Sequence, residues 1–290
     1  MTTNELIIGV TGVGKSTIMK KKIVDRYEYT TDNICILDIC GEYTELVDSL
    51  NGIKVDASSK DFTINPLDLL FRDYSNEFDN KRFMNLFIDL YTLTCKEVND
   101  LEKAKIDETV TYFYNTKNKN IDEFIERCSY QGLNEFANVL SDLKKKNIIG
   151  NTTTYYTDRL VNISLEKFPI SQLTPIEVIV TYYILSQMIM NYKTFIKEKR
   201  YSKLYIDGIY RCKEIVADIY KICRPYAFSV TGTSEKISDV KKIVNNTHEI
   251  FFMKQNDEEI AYIRKHLGLS NDLIKSIKGF SIGEGITVKF

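Results

Sequence analysis

The stretch GVTGVGKST, residues 9–17, follows the apolar run ELII (Glu5–Ile8) and precedes a helical pattern from Lys15 to Tyr27. Gly9, Gly14, Lys15 and Ser16 fill the pattern GxxxxGK[ST] in the setting it needs, a strand before and a helix after. Glycine lets a backbone curl so that successive N–H groups converge on oxygen anions, and the following helix adds its positive N-terminal end. In such a loop the lysine bridges the β- and γ-phosphates of a nucleoside triphosphate, and the hydroxyl after it ligates Mg2+. Thr11, Gly12, Val13, Gly14, Lys15, Ser16 and Thr17 are therefore the expected phosphate-binding residues. Lys15 is also the expected catalytic cation, and Ser16 a metal ligand.

Working outward, short apolar runs rich in β-branched residues recur at residues 5–9, 33–39, 52–56, 203–207, 226–231, 249–253 and 285–290. Their continuous apolarity suits strands covered on both faces, as in a parallel sheet. Helical patterns such as Lys15 to Tyr27 and Lys213 to Arg224 alternate with them, which predicts an α/β fold. The middle differs. From about Asn76 to Gly150 there is no good strand and no proline, while Phe83, Leu86, Phe87, Leu90 and Tyr91 repeat at helical spacing. A second helical stretch, Tyr130 to Lys146, ends in three lysines that suit a helix C-terminus. The expected organisation is an α/β core from residues 1–75, a helical insertion over 76–150, and the rest of the core over 151–290.

Composition narrows the classes. The 39 Lys plus Arg against 40 Asp plus Glu leave a net charge of -1, so no global field draws the chain onto nucleic acid or an anionic membrane. DNA as a partner thus has no support from charge. Six cysteines, at 35, 40, 95, 128, 212 and 223, form neither a CxxC pair nor a dense disulfide pattern, which fits a reducing cytoplasm. His248 and His266, the only histidines, are too far apart for a local zinc motif. The run Val178 to Met190 is shorter than the roughly 20 residues needed to cross a bilayer and reads as a buried helix.

A phosphate loop that hydrolyses its ligand needs a second strand ending in aspartate to hold the metal's water shell, and a glutamate near it to activate the attacking water. Two strands qualify, NICILD ending at Asp38 and KLYID ending at Asp207, and the residues alone leave both open.

Several ordered motifs go further. With the loop, the segments DICGEYTELVDSLNG (Asp38 to Gly52), INPLD (Ile64 to Asp68) and LYIDGIYRCKEIVADIYKICRPYAFSVTGTSEKISDV (Leu204 to Val240) resemble the conjugative type IV secretion ATPases. These are the VirB-four, TraC and TrbE group of the FtsK/HerA superfamily. The ending HLGLSNDLIKSIKGFSIGEGITVKF is similar to the terminus of that family's motor domain. The resemblance implies a RecA-like P-loop NTPase fold, with a mainly parallel sheet and an inserted helical subdomain. It also implies ATP with Mg2+ and a homo-oligomer, in the family often a hexamer. By the same resemblance the motor would sit in the cytoplasm, peripheral to the bacterial inner membrane, and work with other subunits of a secretion channel and its inner-membrane complex. In the family the motor follows a large N-terminal domain; here the first strand begins a few residues after Met1, so the expectation is an isolated motor or a stand-alone relative.

Residue by residue, the resemblance selects Asp207 as the metal's carboxylate beside Ser16 and puts Glu42 next to the nucleotide. It places Arg224 where related motors carry arginines that reach a neighbouring subunit's γ-phosphate. Two departures bear on catalysis. The family's IDE at the Walker B strand is here Ile206-Asp207-Gly208, without the glutamate base. The family's TGxTQ sensor is here Thr231-Gly232-Thr233-Ser234-Glu235, and a carboxylate at Glu235 would repel a phosphate instead of donating a hydrogen bond to it. Weakened hydrolysis is the expectation, since loss of a base costs on the order of a hundredfold to ten-thousandfold.

Overall fold

The computed structural model describes residues 3–70, 77–95, 97–209 and 213–290. Cys212 lies outside them, as do the side chains of Phe83 and Arg224. Eight strands are present among the described residues: β1 (Glu5–Ile8), β2 (Asn33–Asp38), β3 (Ile53–Asp56), β4 (Leu160–Ser164), β5 (Ser202–Ile206), β6 (Phe228–Ser234), β7 (Glu249–Met253) and β8 (Gly285–Lys289). They form one sheet in the order β3-β4-β2-β5-β6-β1-β7-β8. β1 runs parallel to β6 and β7, and β5 runs parallel to β2 and β6; β8 closes the edge antiparallel to β7. This is the expected α/β architecture with a mainly parallel sheet.

Two details depart from the sequence reading, each for a local reason. The strand expected at 226–231 begins at Phe228 and runs on to Ser234. Its start is delayed by a 3-10 turn at Arg224–Tyr226 and by Ala227, whose φ of 53° breaks extended backbone. Its end runs on because Gly232 lies between β1 and β5, paired with Leu6 on one side and Ile206 on the other. A Cβ at Gly232 would meet Ile209 Cγ2 at 2.7 Å, so any larger residue must displace the Ile209 side chain. The strand β4, sequence LVNIS, was not expected. Its central Asn162 breaks the apolar run, yet it is 1% exposed and donates to Asp38 Oδ2 at 3.2 Å.

The chain forms two compact units. The first comprises residues 1–54, 158–163 and 192–290. Its core includes Ile7, Met19 and Ile23 of helix α1 (Lys15–Tyr29), Ile34 and Ile36 of β2, and Val47 of helix α2 (Thr44–Ser49). Helices α8 (Lys213–Ile222), α9 (Lys241–Val244), α10 (Asp257–His266) and α11 (Asn271–Gly279) complete it.

The second unit comprises residues 55–157 and 164–191 and is mostly helical. Four helices follow one another: α3 (Glu77–Thr94), α4 (Asp100–Thr116), α5 (Ile121–Tyr130) and α6 (Asn134–Lys145). Their apolar faces meet through aromatic rings, Phe87 with Phe124 at 4.7 Å and Phe113 with Phe124 at 5.2 Å between centroids. Side chains fix the starts of α4 and α5. Asn99 and Glu102 form a reciprocal capping box at α4, and Asn120 caps α5.

Helix α7 (Leu173–Lys197) is longer than its apolar run suggested. Residues 170–191 are long and apolar enough to cross a membrane, but 78% of their most apolar window is buried within the protein. That burial is the mark of a core helix, and Tyr183 within it donates to Thr154 O at 2.9 Å.

Candidate active site

The loop between β1 and α1 owes its shape to glycines with different tasks. Gly12 and Gly14 have φ of 78° and 96°, a backbone that L side chains rarely adopt. Gly9 answers to space, because a Cβ there would meet Val13 Cγ2 at 2.7 Å and Met253 Cβ at 2.9 Å. The loop is anchored from three sides: Gly9 N donates to Ser234 O at 3.2 Å, Val10 N to Lys254 O at 3.1 Å, and Gly283 N to Val13 O at 2.9 Å. Val13 is 4% exposed and packs into the core, so its side chain stays out of the cleft. No side chain caps α1 and its first turn holds no acid. Its N–H groups are left to serve an anion.

A cleft of about 420 Å³ opens over this loop. Thr11, Gly12, Gly14, Lys15, Ser16 and Thr17 line it, together with Glu42, Asp207, Gly208, Thr233, Glu235 and their neighbours Ile39, Cys40 and Ser234. Lys15 Nζ donates to Gly9 O at 2.9 Å and Val10 O at 3.1 Å. Burial lowers its pKa, while the negative charges of Glu235, Asp207 and Glu42 oppose that shift. The lysine and three carboxylates are thus brought within electrostatic reach of one another.

The two candidate aspartates take different roles. Asp38 is fully buried and accepts from Glu42 N and Tyr43 N, both at 3.1 Å, and from Asn162. It pins the turn that leads into α2 and does not line the cleft. Asp207 does line it. Tyr43 OH donates to Asp207 Oδ2 at 2.7 Å, and Thr233 Oγ1 donates to Oδ1. Burial, with Asp207 alongside, pushes the Tyr43 phenol well above its usual range, so it remains a donor. Thr233 also accepts from Gly208 N at 2.8 Å, tying the end of β5 to β6.

Asp207 and Ser16 suit Mg2+ as oxygen donors, one carboxylate and one hydroxyl lining the same cleft. Among the described residues no group of three or more His, Cys, Asp or Glu side chains could hold a metal alone. Thr11 Oγ1 donates to Glu235 Oε1 at 2.7 Å. Arg224 precedes the start of β6, whose opposite end leads to Glu235, and its side chain lies outside the described residues. Tyr43, Thr233 and Gly283 are the contributors that motif reading did not single out. All three stand inside motif segments, GEY, TGTS and GEG, but only packing shows what they hold.

A parallel sheet with a phosphate loop leaving β1, and an acidic strand end on β5 with only β6 between them, defines a P-loop NTPase. The family model described as "Helicase HerA, central domain" matches residues 2–192, and the chain belongs to that family. Among solved structures, VirB4 of Thermoanaerobacter pseudethanolicus superposes with a TM-score of 0.78 at 16% identity, covering 99% of this chain and 86% of that one. The bacterial conjugative coupling protein TrwB, as TrwBdeltaN70, superposes with a TM-score of 0.63 at 12% identity, covering 99% and 81%. At these identities the likeness is one of fold. Comparison with curated protein sequences gives no match.

Proposed function

We propose that the chain is the ATP-binding motor domain of a conjugation or type IV secretion ATPase similar to VirB4. It couples ATP binding and hydrolysis to the transfer of DNA or protein across a cell envelope. The observation that carries this reading is the cleft itself, where the phosphate loop, Lys15, Ser16 and the carboxylate of Asp207 share one cavity. The similarity in fold to VirB4 over 99% of the chain supports the choice of motor.

When bound, Mg2+ would neutralise charge on the triphosphate, and Ser16 and Asp207 are the residues that would hold it. Lys15 and the N–H groups of α1 stabilise the charge that grows on the phosphate oxygens. Tyr43 and Thr233 hold Asp207 in place. By this reading the protein works as a ring of like subunits, often six in this group, in the cytoplasm beside the inner membrane. It would act together with channel subunits.

The test is Mg2+-dependent ATP hydrolysis by the purified chain beside Lys15→Ala. The expected result is turnover that the variant loses. ATP binding without turnover would refute the motor reading and favour a nucleotide-binding subunit whose occupancy governs assembly. Gly208 and the Glu235–Thr11 contact favour that second reading. A translocase acting on DNA directly would show binding that weakens steeply with salt.

A further inference from the structure

Water attack on a γ-phosphate needs a base with a free lone pair. At position 208 a glycine leaves none. We infer that Glu42 is the general base of this cleft, an assignment that rests on the ATPase reading above.

Elimination among the carboxylates points to it. Asp38 is consumed by two backbone N–H groups and Asn162. Asp207 accepts from Tyr43 and Thr233 and is the carboxylate that would hold the metal, and Glu235 is tied through Oε1 to Thr11 of the phosphate loop. Glu42 lines the same cleft, is exposed, and its carboxylate accepts no hydrogen bond from any described residue. Its field nevertheless reaches Lys15 and Tyr43.

The turn that carries Glu42 is also placed for the task. β2 and β5 are parallel neighbours with Leu37 opposite Ile206, so the turn after β2 leaves the sheet beside the strand end of Asp207. Gly41 at φ 74° shapes it, Asp38 holds Glu42 N, and the next residue, Tyr43, is bonded to Asp207 itself. The carboxylate missing from the end of β5 is thereby supplied from the adjoining strand. A role as a helix-starting acid is already filled, since Asp38 takes the N–H groups and Glu45 stands in the first turn of α2.

In the step assigned, Glu42 takes one proton from water as the water oxygen bonds to the γ-phosphorus. The bond from that phosphorus to the β–γ bridging oxygen breaks, and its electron pair stays on ADP. Inorganic phosphate leaves, and the proton passes from Glu42 to solvent.

The experiment compares wild type, Glu42→Gln and Glu42→Ala, measuring equilibrium MgATP affinity and single-turnover hydrolysis. Glu42→Gln is expected to lose about 100- to 10,000-fold in rate while its Kd changes less than about threefold. Added formate should restore part of the rate of Glu42→Ala, which a purely structural role would not allow. Hydrolysis by Glu42→Gln within about threefold of wild type, or a rate in Glu42→Ala that formate leaves unchanged, overturns the assignment alone. A wild type that binds MgATP but never hydrolyses it overturns both the assignment and the motor reading.

Discussion

Replacing Gly208 by glutamate, the residue that the secretion ATPases carry there, is expected to cost stability and to return no rate. Gly208 has a φ of 83°, and its N–H donates to Thr233 Oγ1 at 2.8 Å. Forcing an L side chain into left-handed backbone costs about 1–2 kcal/mol. If the chain relaxes instead, the bond to Thr233 is lost, worth about 1 kcal/mol, and the partner of Asp207 moves with it. Either way a cost of about 1–2 kcal/mol lowers the melting temperature by roughly 2–8 °C, at about 2–4 °C per kcal/mol for chains near this size.

Thermal unfolding of Gly208→Asn, Gly208→Ala and Gly208→Glu separates strain from chemistry. Asparagine tolerates left-handed backbone best, so it should fall least, and alanine and glutamate should fall together. ATPase assays on the same proteins should show no gain for Gly208→Glu. The reasoning is refuted if Gly208→Glu melts with wild type and hydrolyses about a hundredfold faster, for position 208 would then be merely a vacant base site.

Thr233→Val should weaken Mg2+-dependent ATP affinity while Mg2+-independent binding changes little, as read by titration with and without chelator, because Asp207 Oδ1 loses its donor. Tyr43→Phe should act in the same direction, and should also destabilise the chain by about 1 kcal/mol in urea, since the phenol bonds Asp207 in a buried setting. At the far end of the sheet, burial alone would raise the pKa of Glu5, but the Lys203 and Lys22 ammonium groups overcome it and hold it at about 2 against 4.5 unfolded. Its ionised form therefore contributes stability that is complete above about pH 4.5 and is lost as the pH falls through about 2. Lys203→Met removes the larger of the two attractions, raises the folded pKa of Glu5, and should move acid unfolding, followed by circular dichroism, to higher pH.

What could be read in advance was local. The phosphate loop is one contiguous motif, and its lysine, hydroxyl and glycines are named by spacing alone. The strands of the parallel sheet announce themselves as apolar runs, whereas β4 stays hidden because its centre is Asn162, a buried polar residue that only a partner 124 positions away can justify. Asp38 and Asp207 look alike as strand-ending acids, and what separates them is who donates to them. Backbone N–H groups of the next turn claim Asp38, while a tyrosine 164 positions away and a threonine 26 positions on aim Asp207 at the loop.

The same distinction bears on Gly208. In the motif it counts as a deletion, a carboxylate replaced by nothing. In the fold it is a turn held open by φ 83° and a bond to Thr233, next to a strand whose own turn brings Glu42 into the cleft. Catalytic competence then depends on a carboxylate having a free lone pair within reach of the water, and the strand that carries it is secondary. On the Glu42 assignment, the glutamate missing from position 208 leaves the cleft with a base from the neighbouring turn.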